Sequence, residues 1–264
     1  MPRTFSALDA GGGLWQHNRM SSSPVHRRTS ALQFIGFIVT LVALLASDVG
    51  AQGPAKPPAA AAKAPATNEV MSLFDGKTLT GWKIADFAGT GEVRVQNPFR
   101  DGPGAIILQQ GVMTGITWTN DLPRMNYEIT WEAMRVEGSD FFCGLTFPVG
   151  KDPCSLIVGG WGGGVVGLSS LDSEDAAHNE TTKFMNFEKG RWYALRLRVA
   201  GASIQAWLDG ESIVNIVTTD RTLSIRAEVE PSKPLGFSTW ATTGALRNLQ
   251  LRRLPADEKK PAPK

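Results

Sequence analysis

The chain has 264 residues, of which 27 are lysine or arginine and 25 are aspartate or glutamate, giving a net charge of +2. A nearly neutral chain whose basic residues are scattered is not expected to bind nucleic acid. With both ends set aside, the length suffices for one domain with a sizeable core.

The N-terminal region has the pattern of an export signal. A pair of arginines precedes an apolar run at 31–46, and Val49 and Ala51 supply the small residues of a cleavage site. The pattern predicts a signal peptide over 1–51 with an over-long leader, a true start at Met20, and a periplasmic or secreted protein. An uncleaved membrane anchor is the alternative, because about 20 apolar residues can span a bilayer. After cleavage no stable membrane span is expected.

Two segments rich in alanine, proline and lysine flank the remaining chain. They cover 52–69 and 255–264 and contain no aromatic residue. Such segments cannot bury enough apolar surface to offset the entropy of ordering them. We therefore predict a disordered linker, a folded domain over 70–254 and a disordered tail.

Within that domain, short runs of alternating residues are separated by Gly, Pro and Asp, which predicts an all-β fold. The stretch 127–136 places apolar residues on one face and Glu128 and Glu132 on the other, which we expect to be solvated. The stretch 191–199 alternates in the same way, and the Asp-Gly dipeptide at 209–210 predicts a hairpin. Sequential hairpins of this kind form a sandwich of two antiparallel sheets.

The stretch FFCGLTFPVGKDPCSLIVGG predicts another hairpin, which turns at 150–153 and carries Cys143 and Cys154. In an oxidising compartment the two cysteines could form a disulfide. The alternative is a pair of free buried thiols on the apolar face of the hairpin. With one nearby histidine they do not make a metal site.

The domain opens with SLFDGKTLTGW at 72–82, in which Asp75-Gly76 predicts a turn and Trp82 a buried anchor. This opening resembles that of the 3-keto-disaccharide hydrolase domain family, formerly a domain of unknown function. GRWYALRLRVAGASIQAWLDGE resembles the family's tryptophan hairpin, and PLGFSTWATTGALRNLQLRRL resembles its closing strand pair. The resemblance covers nearly all of the predicted domain and implies a concanavalin A-like jelly-roll fold.

The same resemblance implies action on sugars that are oxidised at carbon 3. A ketone there acidifies the C2 proton, so the glycosidic bond can break by elimination followed by hydration. This chemistry needs a base, an acid, and groups or a metal that stabilise an enolate. The sequence departs from the family at Asp140, where an asparagine is common, and at Pro148, where an arginine is common. A non-catalytic carbohydrate-binding or cell-envelope interaction module is therefore the alternative function.

A cluster of acidic residues supplies the local candidates for catalysis. Asp172, Glu174, Asp175 and His178 lie within nine residues that end at Glu180. In a loop across the sheet they could form a base and acid pair. An oxygen-rich site for a divalent cation such as calcium is a second interpretation, although no metal ligand is assigned. A solvated acidic surface loop is the third.

Three tryptophans are candidates for stacking on a sugar. Trp161 lies in GGWGGG, whose glycines let the backbone bend at a sheet corner. Trp207 alternates away from the apolar positions of its strand, and Trp240 lies in the closing strand pair. The alternative is that these rings cover the sheet edge or belong to the core.

Overall fold

The computed structural model describes residues 69–256 of the chain. The predicted signal peptide, the linker up to residue 68 and the tail beyond residue 256 lie outside the described residues. Among the residues that are described, no helix is long and apolar enough to cross a membrane.

The described residues form fifteen strands and one short 3₁₀ helix over Ala227–Ser232. The strands in chain order are β1 (Val70–Ser72), β2 (Trp82–Ile84), β3 (Val93–Gln96), β4 (Ala105–Leu108), β5 (Met113–Trp118), β6 (Tyr127–Gly138), β7 (Cys143–Val149), β8 (Asp152–Gly160), β9 (Val165–Ser169), β10 (Lys183–Phe184), β11 (Trp192–Ala200), β12 (Ser203–Leu208), β13 (Glu211–Val217), β14 (Gly236–Trp240) and β15 (Thr242–Arg253).

These strands make two antiparallel sheets. An eight-stranded sheet has the order β13-β12-β11-β6-β15-β4-β3, with β1 paired to β15. A seven-stranded sheet has the order β10-β9-β8-β7-β14-β5-β2. The predicted all-β sandwich of two antiparallel sheets is confirmed.

The core lies between the two sheets. Trp131 of β6 and Phe237 of β14 meet across it with ring centroids 5.6 Å apart. The hydroxyl of Tyr127 crosses the same space and donates to the carbonyl oxygen of Pro148 at 2.6 Å. The predicted inward face of β6 is confirmed, since Tyr127, Ile129 and Trp131 are at most 2% exposed. Each aromatic side chain buried in this way contributes roughly 1.5–3 kcal/mol.

The opposite face of β6 differs from its prediction. Glu128 is only 7% exposed, because arginines on both neighbouring strands cover it. Its carboxylate lies 3.1 Å from Nη2 of Arg252 and 3.6 Å from Nη1 of Arg196. The expectation that Glu128 is solvated is wrong, because long arginine side chains lie along a sheet and exclude water from a shorter acid.

The opening of the domain and the tryptophan hairpin follow their predictions. Trp82 is buried and donates from Nε1 to the carbonyl oxygen of Leu73 at 2.7 Å. Asp209 and Gly210 turn between β12 and β13 with φ values of 48° and 85°. Both residues of a two-residue hairpin turn of this kind need positive φ, which an Asp-Gly pair supplies at low cost.

The two cysteines lie on the predicted β7–β8 hairpin, and both are buried and free. Cys143 pairs with Val158 and Cys154 pairs with Phe147, so four ladder positions separate them. At about 3.4 Å per residue this separation far exceeds the reach of a disulfide. The structure therefore supports the second alternative, a pair of free buried thiols.

Candidate functional site

Two loops meet above the outer face of the seven-stranded sheet. One is the acidic loop, residues 171–180, and the other is the connection from β13 to β14, residues 218–235. Ser170 and Ser224 join them by two backbone hydrogen bonds of 2.7 and 3.1 Å. The amide of Asp172 adds a third, to the carbonyl oxygen of Thr222, at 2.8 Å. The predicted catalytic residues therefore sit in a loop that is tied to a second loop.

Asp172 and Glu180 are held by one arginine. Arg221 lies 2.6 Å from a carboxylate oxygen of each. The pKa of Asp172 is lowered from its ordinary value, first by the backbone N–H of Thr222 and then by Arg221. A carboxylate that is held ionised in this way suits a structural role better than proton transfer.

Asp175 and His178 form a close pair on the same loop. Nδ1 of His178 lies 2.6 Å from Oδ1 of Asp175, which also accepts the N–H of Ala177 at 3.0 Å. The other oxygen of Asp175 lies 3.3 Å from Arg226, whose guanidinium holds the pKa of Glu228 below its ordinary value. The His178 side chain is 64% exposed and that of Asp175 only 18%. The fourth predicted residue, Glu174, is exposed on the same loop.

The acidic loop is organised from inside by Asn179. Its Nδ2 donates to the carbonyl oxygens of Leu168, Glu174 and Asp175 at 2.8, 3.2 and 2.7 Å. Its Oδ1 accepts from the backbone and the hydroxyl of Thr181. This amide fixes the backbone that carries Asp175 and His178, although the sequence analysis gave it no role.

Trp161 lies on the turn between β8 and β9, where it is 43% exposed. The turn closes around Arg135 of β6, whose Nη2 donates to the carbonyl oxygens of Asp140, Gly159 and Gly163. A Cβ atom at Gly159 would stand 2.5 Å from the same Nη2. The glycines of GGWGGG therefore allow a close approach to a buried guanidinium, as well as the predicted bend.

The other two tryptophans lie on opposite faces of the sandwich. Trp207 is half-buried on the eight-stranded sheet, and the guanidinium of Arg196 covers it at 3.7 Å from the ring. Trp240 is half-buried on the seven-stranded sheet and lines an open cleft of about 670 Å³ with Gln110 and Val112. The structure does not bring the three predicted stacking residues into one site.

Sequence analysis also missed a row of hydroxyl side chains, which we call the hydroxyl floor. It lies on the outer face of the seven-stranded sheet, and each member is 1% exposed. Its members are Thr146 on β7, Ser155 on β8, Ser169 on β9 and Ser238 on β14. Thr146 and Ser155 bond each other at 2.8 Å, whereas the Oγ atoms of Ser169 and Ser238 have no partner among the described residues. In the sequences of these strands, glycine and hydroxyl residues alternate with apolar residues, and this alternation could have predicted the hydroxyl floor.

Within residues 69–256, no three His, Cys, Asp or Glu side chains converge in a way that could hold a metal ion. In the acidic loop, the carboxylates of Asp172, Asp175 and Glu180 form ion pairs with arginines instead. Ion pairs therefore hold the side chains of this loop in place.

The 3-keto-alpha-glucoside-1,2-lyase-like domain family model matches residues 69–252. No curated protein shows significant sequence similarity to the chain. Among solved structures, the carbohydrate-binding module CBM66 from Bacillus subtilis is 12% identical, with a TM-score of 0.39 over 65% of this chain and 95% of that one. Domain 4 of AbnA, an extracellular arabinanase from Geobacillus stearothermophilus, is 13% identical, with a TM-score of 0.45 over 72% and 94%. The Crh5 transglycosylase is 11% identical, with a TM-score of 0.47 over 72% and 85%.

Proposed function

This chain belongs to the 3-keto-alpha-glucoside-1,2-lyase-like domain family, and from that premise we propose that it cleaves glycosides whose sugar carries a ketone at carbon 3. The ketone makes the C2 proton acidic. A base removes that proton, and the electron pair forms an enolate. The bond from C1 to the leaving oxygen then breaks, and that oxygen takes up a proton from the protonated base or from water. Water adds to the unsaturated product in a second step. The essential protein group is a base that is fixed in place and reachable by substrate.

The observation that supports this proposal is the pair formed by His178 and Asp175. Imidazole is the side chain best suited to exchange protons near neutral pH. With Nδ1 bonded to the carboxylate at 2.6 Å, the free ring nitrogen is Nε2, on a side chain that is 64% exposed. We assign His178 the role of base and Asp175 the role of positioning residue. Arg226 and the N–H of Ala177 hold that carboxylate in turn.

The decisive experiment measures turnover of 3-keto-trehalose and 3-keto-sucrose by the purified protein. We expect His178→Gln to lower kcat by about 10²- to 10⁴-fold, which is the usual contribution of a general base. Asp175→Asn should lower kcat less and should change the pH profile, because it alters the tautomer that the imidazole adopts. Glu211→Gln removes an exposed acid from the eight-stranded sheet and serves as the matched control. A wild-type protein without turnover, or a fully active His178→Gln variant, would refute the proposal.

A second candidate function is carbohydrate binding without chemistry, and Trp161 favours it. Trp161 is 43% exposed and lies on a turn that a buried arginine holds in place. A fixed, open indole can stack on the face of a sugar at little cost in conformational entropy. Under this function, calorimetry should show saturable binding of unoxidised oligosaccharides that Trp161→Ala abolishes, and His178→Gln should leave that binding unchanged.

Export to the periplasm or medium, and any requirement for a divalent cation, stay predictions. Mass spectrometry of the secreted protein would place the cleavage site. Turnover with added calcium, compared with turnover in a chelator, would test the cation.

A further inference from the structure

We propose that the outer face of the eight-stranded sheet binds an extended acidic polysaccharide, a chain of sugars that carries carboxylate groups. Three arginines, Arg196, Arg198 and Arg252, define this surface, which we call the arginine face. The proposal does not depend on the catalysis proposed above, because the acidic loop lies between β9 and β10 of the other sheet.

Antiparallel pairing brings the three arginines together, although they are scattered along the sequence. Arg198 of β11 and Arg252 of β15 flank Glu128 of β6 in one row of the ladder. Arg196 lies two residues before Arg198 on β11, in the row that also holds Thr130. Side chains two residues apart along a strand point to the same side of the sheet. The sheet therefore gathers positive charges that are not contiguous in the sequence.

The charge that a ligand meets on this face is positive. The side chain of Glu128 is only 9% exposed, whereas those of Arg196 and Arg252 are 42% and 38% exposed. Its carboxylate therefore lies beneath the guanidinium groups, and it offsets only one of the three arginine charges. Glu132, in the next row, is paired with Arg247 and adds no net charge. An exposed positive surface attracts a polyanion, and the attraction weakens as salt is added.

Two of the arginines are held in position by the protein itself. The guanidinium of Arg196 lies over the ring of Trp207, 3.7 Å from its centroid, and that of Arg252 lies 3.1 Å from the carboxylate of Glu128. A side chain that is already ordered loses little conformational entropy when it binds a ligand. The planar fork of N–H donors on a guanidinium matches the two oxygens of a carboxylate. The arginine face is therefore suited to carboxylate groups.

Neutral polar side chains around the arginines favour a polysaccharide over other polyanions. The two rows also hold amides and hydroxyls that are not buried, namely Asn215, Ser212, Thr130, Gln250 and Ser72. Such groups form hydrogen bonds with sugar hydroxyls. From β13 to β1 the rows cross six strands, or about 24 Å at about 4.8 Å per strand, which accommodates several sugar units. Double-stranded DNA is read by an element that enters a groove, whereas this surface is the face of a sheet.

The test measures binding of the purified protein to polygalacturonate, a polymer of carboxylated sugars, by calorimetry at low salt. Methyl-esterified polygalacturonate has the same backbone without the charge and is the matched ligand. Arg198→Gln removes one charge and leaves both ion pairs of Glu128 in place. Arg196→Gln/Arg252→Gln removes the other two charges, and circular dichroism checks that this variant folds. Lys83→Gln removes one charge from an exposed position on the seven-stranded sheet and is the control variant.

We expect the affinity for polygalacturonate to fall as salt is added, and the methyl ester to bind far more weakly. Arg198→Gln should raise Kd about two- to fivefold and the double variant about tenfold, whereas Lys83→Gln should leave Kd unchanged. Absence of binding by the wild type, equal binding of the ester, or equal Kd values for Arg198→Gln and Lys83→Gln would overturn the proposal. Tighter binding of single-stranded DNA that Arg198→Gln also weakens would identify a nucleic-acid surface and overturn the choice of ligand.

Discussion

The guanidinium of Arg135 donates from Nη2 to the carbonyl oxygen of Gly163 at 2.8 Å, so a buried charge on β6 fixes the turn that presents Trp161. The same nitrogen serves the carbonyl oxygens of Asp140 and Gly159. Gly159 and Gly163 can lie this close to the guanidinium because neither carries a Cβ atom.

Replacing Arg135 with lysine should destabilise the protein strongly. A single ammonium cannot reach the carbonyl oxygens that the planar guanidinium serves, so buried acceptors would be left without donors. We expect the free energy of unfolding to fall by on the order of 2–4 kcal/mol, measured by urea denaturation. Arg94→Lys, at an exposed arginine, should change it little. Equal midpoints for the two variants would contradict this account of the turn.

Gly162 and Gly163 allow a separate test of steric fit. Both have positive φ, at 85° and 111°, so alanine at either position should cost about 1–2 kcal/mol in backbone strain. They differ in space, since a Cβ atom at Gly163 would stand 2.6 Å from the carbonyl oxygen of Ser139, whereas one at Gly162 meets nothing within 4 Å. Thermal denaturation should therefore show Gly163→Ala as clearly the less stable variant. Equal losses of stability in the two variants would mean that backbone strain sets the cost and that the contact with Ser139 does not matter.

The sequence predicted the fold well because alternation and turn chemistry are local properties. The period of two in 127–136 and the Asp-Gly pair at 209–210 are readable without tertiary contacts. Partners of the acidic loop were not readable, because Arg221 and Arg226 lie some 50 residues downstream and meet it only through the β13–β14 connection. For the same reason, the sequence of β6 alone did not predict that Glu128 is buried.

Asn179 should prove essential to the acidic loop. Its Nδ2 donates to three carbonyl oxygens, and a carboxylate in its place would instead repel them. We expect Asn179→Asp to lower the free energy of unfolding by roughly 2–3 kcal/mol and to accelerate hydrogen exchange in the loop. Asn186→Asp adds the same charge at an exposed position and is the matched control. If both variants behave alike, charge rather than hydrogen bonding would be responsible.

The two cysteines should behave as inert thiols. Burial raises the pKa of both Cys143 and Cys154 to about 12, so very little reactive thiolate exists in the folded protein. A thiol reagent should label neither residue at neutral pH until denaturant is added, and both afterwards. Addition of a reductant should leave the melting temperature unchanged. A mass lower by two hydrogen atoms in the untreated protein would reveal a disulfide and contradict the structure.

Asp172 should make stability depend on pH in a defined direction. The N–H of Thr222 and then Arg221 lower its pKa in the folded state. A depressed folded pKa means that the stabilisation is present above the unfolded value of about 3.9 and disappears as pH falls through the folded value. Asp172→Asn cannot titrate, and asparagine tolerates the φ of 51° at this position.

The difference in melting temperature between the wild type and Asp172→Asn should therefore be largest near neutral pH and shrink in acid. Asp75→Asn is a useful comparison, because Asp75, between β1 and β2, also has a pKa lowered by the N–H groups of Thr78 and Lys77. Both variants should show the same sign of pH dependence in melting temperature. A constant difference in melting temperature from neutral pH into strong acid would show that the ionised form of Asp172 contributes nothing to the fold.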